Sequence, residues 1–220
     1  MTRHVPHLCL PSPWSGVEIP LDDAHVNHLR KVLKLDEGSD LSYTDGAGTL
    51  GSGTFSDGAV RRGAEAIVAR PNGVTVVVAP PSSRDRLRFL VEKTAELGVS
   101  RLLWIRTART TGRPPREAKA MAWATAALEQ SRGAWKMEIG TTTMGDLDPA
   151  DLVVADPDGP RQAPTDRKTL MIGPEGGLAP EEIPTGAIRL SLGPTVLRVE
   201  TAAVVGVLTL ISQPAPSPAH

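Results

Sequence analysis

The chain has little cysteine, few aromatic residues and almost no net charge. Cys9 is the one cysteine among 220 residues, so an internal disulfide is excluded. Aromatic residues make up 3% of the sequence, which argues against a row of aromatic platforms stacking single-stranded bases. The formal net charge of −1 gives no global reason to expect a nucleic-acid partner. The distribution of charge along the chain therefore has to decide that question.

Long apolar runs are also missing. No stretch reaches the roughly 18 apolar residues that a membrane-spanning helix needs. The N-terminal sequence MTRHVPHLCLPSP does not have the layout of a signal peptide. We therefore expect a cytoplasmic protein without a membrane partner.

The residues before and after position 72 follow different patterns. Residues 1–72 contain short β-rich runs separated by glycine and Asp-Gly turns, which is typical of hairpins in a small barrel. Residues 73–220 alternate apolar strands with helices, and a strand, helix, strand order with short returns indicates parallel, right-handed crossovers. The sequence thus predicts an α/β protein with a small β-barrel domain at 1–72 and an α/β parallel-sheet domain at 73–220.

Two segments near the C-terminus contain the residues best suited to bind a ligand. At 169–177 an apolar strand runs into Gly-Pro-Glu-Gly-Gly, and at 190–202 another strand ends in Gly-Pro before an apolar helix. Ligands of open α/β sheets bind beyond the carboxyl ends of the strands, and adjacent glycines let a ligand approach the backbone closely. Neither segment has the dinucleotide pattern G-x-G-x-x-G or the Walker pattern. We predict one small-ligand crevice that both segments line.

Each segment also has a purely structural interpretation. The first could be a tight strand-to-helix turn, with Glu181 and Glu182 opening the helix. In the second, Glu200 could cap the last helix against its dipole while Arg198 pairs with a nearby carboxylate. Two charges beside so apolar a helix are costly unless they are paired or functional. The residues alone leave these interpretations open.

The pair IGPEGGLAPEEI at 172–183 and LSLGPTVLRVETAA at 190–203 resembles the signature of a known family. That family is the bacterial 16S rRNA (uracil-N3)-methyltransferases, members of the trefoil-knot (SPOUT) methyltransferase superfamily. Upstream segments are similar to the same family: HLRKVL at 28–33, FLVEKTAELGV at 89–99 and EQS at 129–131. The resemblance covers about residues 20–212.

The resemblance implies a PUA-like RNA-binding barrel at 1–72, a deep trefoil knot within 73–220, and a homodimer. It implies 16S rRNA of the small ribosomal subunit as substrate and S-adenosylmethionine as cofactor, with no metal. The implied cofactor-binding residues are Ile172, Gly173, Pro174, Glu175, Gly176, Gly177, Leu192, Gly193, Thr195, Val196 and Leu197. We predict Arg198 and Glu200 as catalytic residues. Arg198 would stabilise negative charge on the uracil carbonyls, and Glu200 would accept the N3 proton or orient Arg198.

An arginine-rich block at 84–116 supports an RNA partner within an otherwise near-neutral chain. The predicted RNA-binding residues are Arg30, Lys31, Arg84, Arg86, Arg109 and Arg132. Three positions depart from the family pattern. The basic residue before the first helix of the second domain is shifted, at Arg84, and Arg132-Gly133 reverses the family's Gly-Arg order. Thr195 stands where the family has arginine.

Other functional classes remain open on these observations. One is a ribose 2′-O RNA methyltransferase of the same superfamily, and another is a non-catalytic RNA-binding protein of ribosome assembly. A nucleotide-dependent oxidoreductase is disfavoured because the G-x-G-x-x-G pattern and its acidic ribose-binding partner are missing.

Overall fold

The computed structural model describes residues 5–162 and 166–212. Within them the chain divides into two units: unit 1 holds residues 5–70 and Leu128–Lys136, and unit 2 holds Pro71–Ala127 and the described residues from Met137 onwards. No helix in these described ranges is long and apolar enough to cross a membrane.

Unit 1 is built on a five-stranded sheet in the order β1-β3-β4-β5-β2. Its strands are β1 (His7–Cys9), β2 (Glu18–Pro20), β3 (Asp40–Thr44), β4 (Thr49–Ser56) and β5 (Ala59–Ile67). Only the β1–β3 pair is parallel among these neighbours. The predicted helical stretch begins as α1 (Asp23–Asn27), which Asp22 caps by accepting a hydrogen bond from the His25 amide. It continues as a π-helical turn at His28–Val32. The PUA-like character of this unit stays a prediction.

Residues Leu128–Lys136 join unit 1 through backbone pairing, although they lie inside the predicted range 73–220. The amide of Cys9 donates to Glu129 Oε1 at 2.9 Å, and the amide of Lys136 donates to the Gly46 carbonyl at 2.8 Å. The Ala134 carbonyl accepts from the Thr44 hydroxyl at 3.1 Å. Buried backbone groups need such partners, so this segment is held against the end of β1 and the connection between β3 and β4.

Unit 2 is built on a six-stranded, all-parallel sheet in the order β11-β9-β10-β6-β7-β8. Its strands are β6 (Thr75–Val78), β7 (Arg101–Ile105), β8 (Glu138–Thr142), β9 (Leu152–Ala155), β10 (Thr169–Ile172) and β11 (Ile188–Leu190). Its helices are α2 (Arg84–Glu96), α3 (Glu117–Ser131), whose last turn belongs to unit 1, and α4 (Val199–Ile211). The predicted α/β class and its parallel sheet are confirmed, and the knot stays a prediction.

The central strands of the unit 2 sheet are buried on both faces, as their continuous apolar sequences predict. Val76 and Leu170 belong to the cluster that packs on α2 and α4, while Val77 and Met171 belong to a second cluster. The helix α4 buries Ala203, Val207 and Leu210 in the first of these clusters. This packing fixes the start of α4 beside the carboxyl ends of β10 and its neighbours.

A lysine in unit 1 adopts a backbone conformation that favours glycine. Lys34 is exposed and has φ of 52°, in the left-handed region. That region costs an L-residue about 1–2 kcal/mol, and glycine avoids this cost. Part of the gain is offset because glycine has a larger conformational entropy in the unfolded state. We expect Lys34→Gly to raise the free energy of unfolding by about 0.5 kcal/mol, as measured by urea denaturation.

The matched control is Lys31→Gly, because Lys31 is also exposed but lies within the π-helical turn. There glycine is expected to lower the free energy of unfolding by about 0.5–1 kcal/mol. A change of the same sign in both variants would contradict the interpretation of Lys34.

Candidate active site

The carboxyl ends of β9, β10 and β11 border a cavity of about 800 Å³ in unit 2. These strands are parallel neighbours, so the loops that follow them open at the same edge of the sheet. The cavity volume lies within the roughly 300–1,000 Å³ range of small-molecule sites. Both segments singled out in the sequence line this one cavity, as the two strand ends predict.

All eleven residues predicted to bind a cofactor lie in the cavity wall. They are Ile172, Gly173, Pro174, Glu175, Gly176, Gly177, Leu192, Gly193, Thr195, Val196 and Leu197. Sequence reasoning missed two further stretches of the wall, the loop at 156–158 after β9 and the residues 183–187 before β11. The sequence Asp-Pro-Asp-Gly directly after an apolar strand was a signal for the first of them.

The GPEGG loop is a tight turn held from outside by Arg109. The Gly177 amide donates to the Pro174 carbonyl at 2.8 Å, and Gly177 has φ of +72°, a conformation that favours glycine. Arg109 Nη1 donates to the Gly176 carbonyl at 2.8 Å. A Cβ on Gly176 would lie 3.3 Å from the Cβ of Arg109, so the two chains pack closely. This contact fixes the outer side of the loop.

Glu182 ties the same loop to the residues that follow β7. Its carboxylate accepts hydrogen bonds from the amides of Ala179, at 2.9 Å, and Ala108, at 2.6 Å. These two amides hold the pKa of Glu182 below its ordinary value. Pro180–Glu182 form one turn of 3-10 helix. The segment is therefore a capped turn in the cavity wall. The predicted helix opened by Glu181 and Glu182 is wrong, because the chain forms only this one turn before β11.

An ionic bridge joins three separate segments beside the cavity. Arg86 Nε donates to Glu200 Oε2 at 2.8 Å, and Arg86 Nη1 donates to Glu175 Oε1 at 2.5 Å. Burial raises the pKa of Glu200, but its hydrogen bond with Arg86 opposes this, and the pKa lies below its ordinary value. The same partners raise the pKa of Arg86. The carboxylate that Glu200 presents is thus paired with Arg86.

Arg198 lies just before α4 and is exposed. Its neighbours Leu197 and Val199 line the cavity, while its own side chain does not. Among the described residues its side chain makes no hydrogen bond or close ion pair, but its positive charge helps to lower the pKa of the nearby Glu200 carboxylate. An unpaired cation beside the cavity opening remains available to a bound substrate.

The residues predicted to bind RNA fall three in each unit. In unit 1, Arg30 donates to Glu37 at 2.8 Å and stacks on Phe55, while Lys31 is exposed. Also in unit 1, Arg132 Nη2 donates to the Val5 carbonyl at 2.8 Å. In unit 2, Arg84 is exposed and Arg86 and Arg109 make the contacts described above.

The reversed order of Arg132 and Gly133 has a local structural reason. Arg132 follows α3 with φ of 57°, the left-handed conformation that commonly ends a helix. At the next position, a Cβ on Gly133 would lie 2.5 Å from Leu128 Cδ1. Gly133 therefore fits against the last turn of α3 because it has no side chain.

A second ion pair lies in the cavity wall. Asp156 Oδ2 accepts from Arg189 Nε at 2.6 Å, and Asp156 Oδ1 accepts from the Asp158 amide at 2.9 Å. Burial raises the pKa of Asp156, but the hydrogen bond from Arg189 opposes it, and the pKa lies below the ordinary value. Among the described residues, no three His, Cys, Asp or Glu side chains form a metal-binding group.

The Asp156–Arg189 pair predicts a pH dependence of stability. Because the folded state lowers the pKa of Asp156, the pair stabilises the fold above the unfolded pKa of about 4, and this contribution is lost as pH falls. We expect Asp156→Asn to lower the free energy of unfolding by about 1 kcal/mol at pH 7, since Arg189 is half-exposed, and by much less at pH 3. Urea denaturation at both pH values measures this difference.

The control for this measurement is Asp40→Asn, which alters an exposed carboxylate in unit 1. Its effect is expected to stay within about 0.5 kcal/mol at both pH values. An Asp156→Asn loss of equal size at pH 7 and pH 3 would show that the ionised carboxylate is not what stabilises the wall.

Known proteins resemble this chain over nearly its whole length. The ribosomal RNA small subunit methyltransferase E of Mycobacterium bovis is 26% identical over 245 residues, which cover 90% of this chain and 89% of that protein. The ribosomal RNA small subunit methyltransferase E of Neisseria gonorrhoeae, solved bound to S-adenosyl methionine, has a TM-score of 0.77 at 22% identity, covering 94% of this chain and 97% of that chain. A protein from Porphyromonas gingivalis has a TM-score of 0.78 at 22% identity, covering 94% and 99%.

These structures establish the fold, and the family follows from a separate comparison. Residues 69–211, more than half of the chain, match the family model of the RNA methyltransferase domain. The matched range contains the whole cavity wall and the Arg86 bridge. The chain therefore belongs to the RNA methyltransferase domain family.

Proposed function

We propose that this protein is an S-adenosylmethionine-dependent methyltransferase that modifies N3 of a uridine in 16S rRNA of the small ribosomal subunit. The observation that carries the proposal is the single cavity formed by the GPEGG loop and the LGPTVLRVETA segment. The Mycobacterium bovis relative is named as a small-subunit rRNA methyltransferase, and the Neisseria gonorrhoeae protein holds S-adenosyl methionine, which supports the same assignment here.

The residues of the cavity fit a nucleoside-containing cofactor. Glycines at 173, 176, 177 and 193 let a ligand approach the backbone of the wall closely, where amides and carbonyls other than the Gly177 amide and the Gly176 carbonyl can bind adenine and ribose hydroxyls. Apolar walls are supplied by Ile172, Leu178, Leu192, Leu197 and Val199. When bound, the cofactor supplies an electrophilic methyl group on its sulfonium. The protein has to hold the reacting groups in line and exclude water.

Arg198 has the position and charge to assist the reaction at uracil N3. N3 must lose its proton, or nearly so, and negative charge then grows on the two neighbouring carbonyl oxygens. An exposed guanidinium that makes no hydrogen bond to any described residue can donate hydrogen bonds to those oxygens as the charge develops. The N3 edge takes part in base pairing, so the target uridine has to be unpaired or flipped out of its helix.

RNA recognition is assigned to exposed basic residues in both units. Arg84 and Arg109 in unit 2, and Lys31 in unit 1, would contact phosphates and so orient the folded RNA. We further propose that residues 1–72 form a PUA-like RNA-binding domain, that residues 73–220 contain the trefoil knot, and that the enzyme acts as a cytoplasmic homodimer. Salt dependence of RNA binding measures the number of phosphate contacts.

The proposal is tested by mapping the methyl group. Small-subunit RNA from cells with and without the gene is digested and analysed by mass spectrometry, and purified protein is incubated with small subunits and labelled S-adenosylmethionine. We expect one N3-methyluridine that is lost without the gene and restored by the protein. A 2′-O-methylated ribose would favour the related ribose methyltransferases. RNA binding without cofactor binding would favour a non-catalytic assembly protein.

A further inference from the structure

We propose that Arg86 is a positioning residue that sets the shape of the cofactor cavity by joining the GPEGG loop to the start of α4. In this arrangement Glu200 acts through Arg86 and is not the base that takes the N3 proton. The inference rests on the proposed function, because it concerns the same cavity. It also gives Arg86 a different task from the RNA contact that the sequence predicts.

The bridge connects parts of the fold that are distant in sequence. Arg86 lies in the first turn of α2, and its partners are 89 residues away at Glu175 and 114 residues away at Glu200. Glu175 belongs to the cavity wall, and Glu200 is flanked by Val199, which also lines the cavity. A single guanidinium therefore ties one wall residue, Glu175, and the neighbour of another, Glu200, to α2.

The two arms of the bridge differ in burial. The side chain of Glu200 is 11% exposed and that of Arg86 is 21% exposed, whereas that of Glu175 is 43% exposed. Arg86 Nη2 also lies 2.7 Å from Glu200 Oε2, although its N–H bonds do not point at that oxygen. Two of the guanidinium nitrogens thus contact the buried acid, and the third reaches the loop. The buried Arg86–Glu200 pair fixes the position of the guanidinium, and the more exposed Arg86–Glu175 pair holds the GPEGG loop to that guanidinium.

The geometry places Glu200 poorly for proton transfer. Its carboxylate is buried and held by Arg86, whose Nε and Nη2 lie 2.8 Å and 2.7 Å from Oε2. A general base needs to lie within hydrogen-bond reach of the proton that it removes. The lowered pKa of Glu200 agrees with this, because it makes the carboxylate a weaker base. Pairing with Arg86 accounts for a buried acid in an apolar helix without a catalytic step.

Binding and turnover of four variants test the bridge. For Arg86→Ala we expect the Kd for S-adenosylmethionine, measured calorimetrically without RNA, to rise about 10–30-fold, and for Arg86→Lys about 5-fold, because an ammonium cannot make both pairs in fork geometry. Glu200→Gln keeps an oxygen that accepts from Arg86 Nε, so kcat is expected to fall about 3–10-fold. The matched control is Arg88→Ala, which removes an exposed α2 pair with Glu92 and is expected to leave the Kd unchanged.

A fifth variant keeps the test decisive if Arg86→Ala does not fold. Glu175→Ala removes only the exposed arm, so the melting temperature is expected to stay unchanged while the Kd for S-adenosylmethionine rises about 5-fold. An unchanged Kd in both Arg86→Ala and Glu175→Ala would overturn the positioning role. A loss of kcat beyond about 100-fold in Glu200→Gln, with normal Kd, would make Glu200 the base instead.

The outcomes separate the inference from the proposed function. If the wild-type protein binds S-adenosylmethionine and the variants bind it equally well, only the inference fails. If the wild-type protein does not bind S-adenosylmethionine, the proposed function is wrong and the inference falls with it. If wild-type binding is tight and weakens in the order Arg86→Lys then Arg86→Ala, the bridge sets the cavity.

Discussion

Replacing Arg198 by alanine is expected to lower the rate of methyl transfer to 16S rRNA by roughly 10²–10³-fold, the size of effect seen when a preorganised donor to a developing oxyanion is removed. The affinity for S-adenosylmethionine is expected to stay within about twofold, because the Arg198 side chain does not line the cavity. Folding is expected to be unaffected, since Arg198 is exposed and has no internal partner in the described ranges. Single-turnover assays and calorimetry measure the two quantities separately.

Two further variants show whether the effect of Arg198→Ala comes from the lost guanidinium or from a disturbed start of α4. Arg198→Lys keeps the charge but loses the planar fork of donors, so an intermediate rate is expected. Thr201→Ala changes an exposed residue in the same first turn of α4 and is expected to retain turnover. Near-normal turnover by Arg198→Ala would remove Arg198 from the reaction. An equal loss in Thr201→Ala would assign the effect to a disturbed helix start.

The cavity could be predicted because it depends on local sequence patterns. Apolar strands that end in glycine and proline can be recognised without knowing the partners of those strands, and parallel strands deliver their ends to one edge. The Gly173–Gly177 turn favours glycine at 177 because of its positive φ, which is a property of the chain itself. For this reason both segments line the observed cavity, and the cofactor residues that the family resemblance implies within them all lie in its wall.

The features that sequence reasoning missed depend on distant partners. In the sequence, Arg86 resembles an exposed residue in the first turn of a helix rich in arginine. No nearby residue indicates that Glu175 and Glu200 are its partners. Likewise, nothing in the sequence just after α3 indicates that the carbonyl of Ala134 and the amide of Lys136 pair with residues of unit 1. The strand β8 was missed because Glu138–Thr142 is a half-exposed edge strand with one strongly apolar residue, Ile139.

The backbone at Gly112 closely approaches the backbone of Pro80 and Pro81, just after β6, so a substitution at Gly112 is expected to have a large effect on stability. A Cβ on Gly112 would lie 2.0 Å from the Pro80 carbonyl oxygen and 2.6 Å from the Pro81 carbonyl carbon, and Gly112 is buried. Backbone atoms cannot move aside as a flexible side chain can. We therefore expect Gly112→Ala to lower the free energy of unfolding by about 3 kcal/mol and the melting temperature by roughly 6–12 °C.

The displacement is expected to reach the cavity as well. Gly112 lies in the loop after β7, and the same loop holds the GPEGG turn through Arg109 and receives Glu182 at the Ala108 amide. Weaker binding of S-adenosylmethionine should therefore accompany the lower melting temperature. Gly145→Ala is the matched control, because the nearest atom to its added Cβ would be 3.9 Å away. Equal melting temperatures for the two variants would mean that the loop after β7 can move away from Pro80 and Pro81 without cost. That loop could not then hold the GPEGG turn in place.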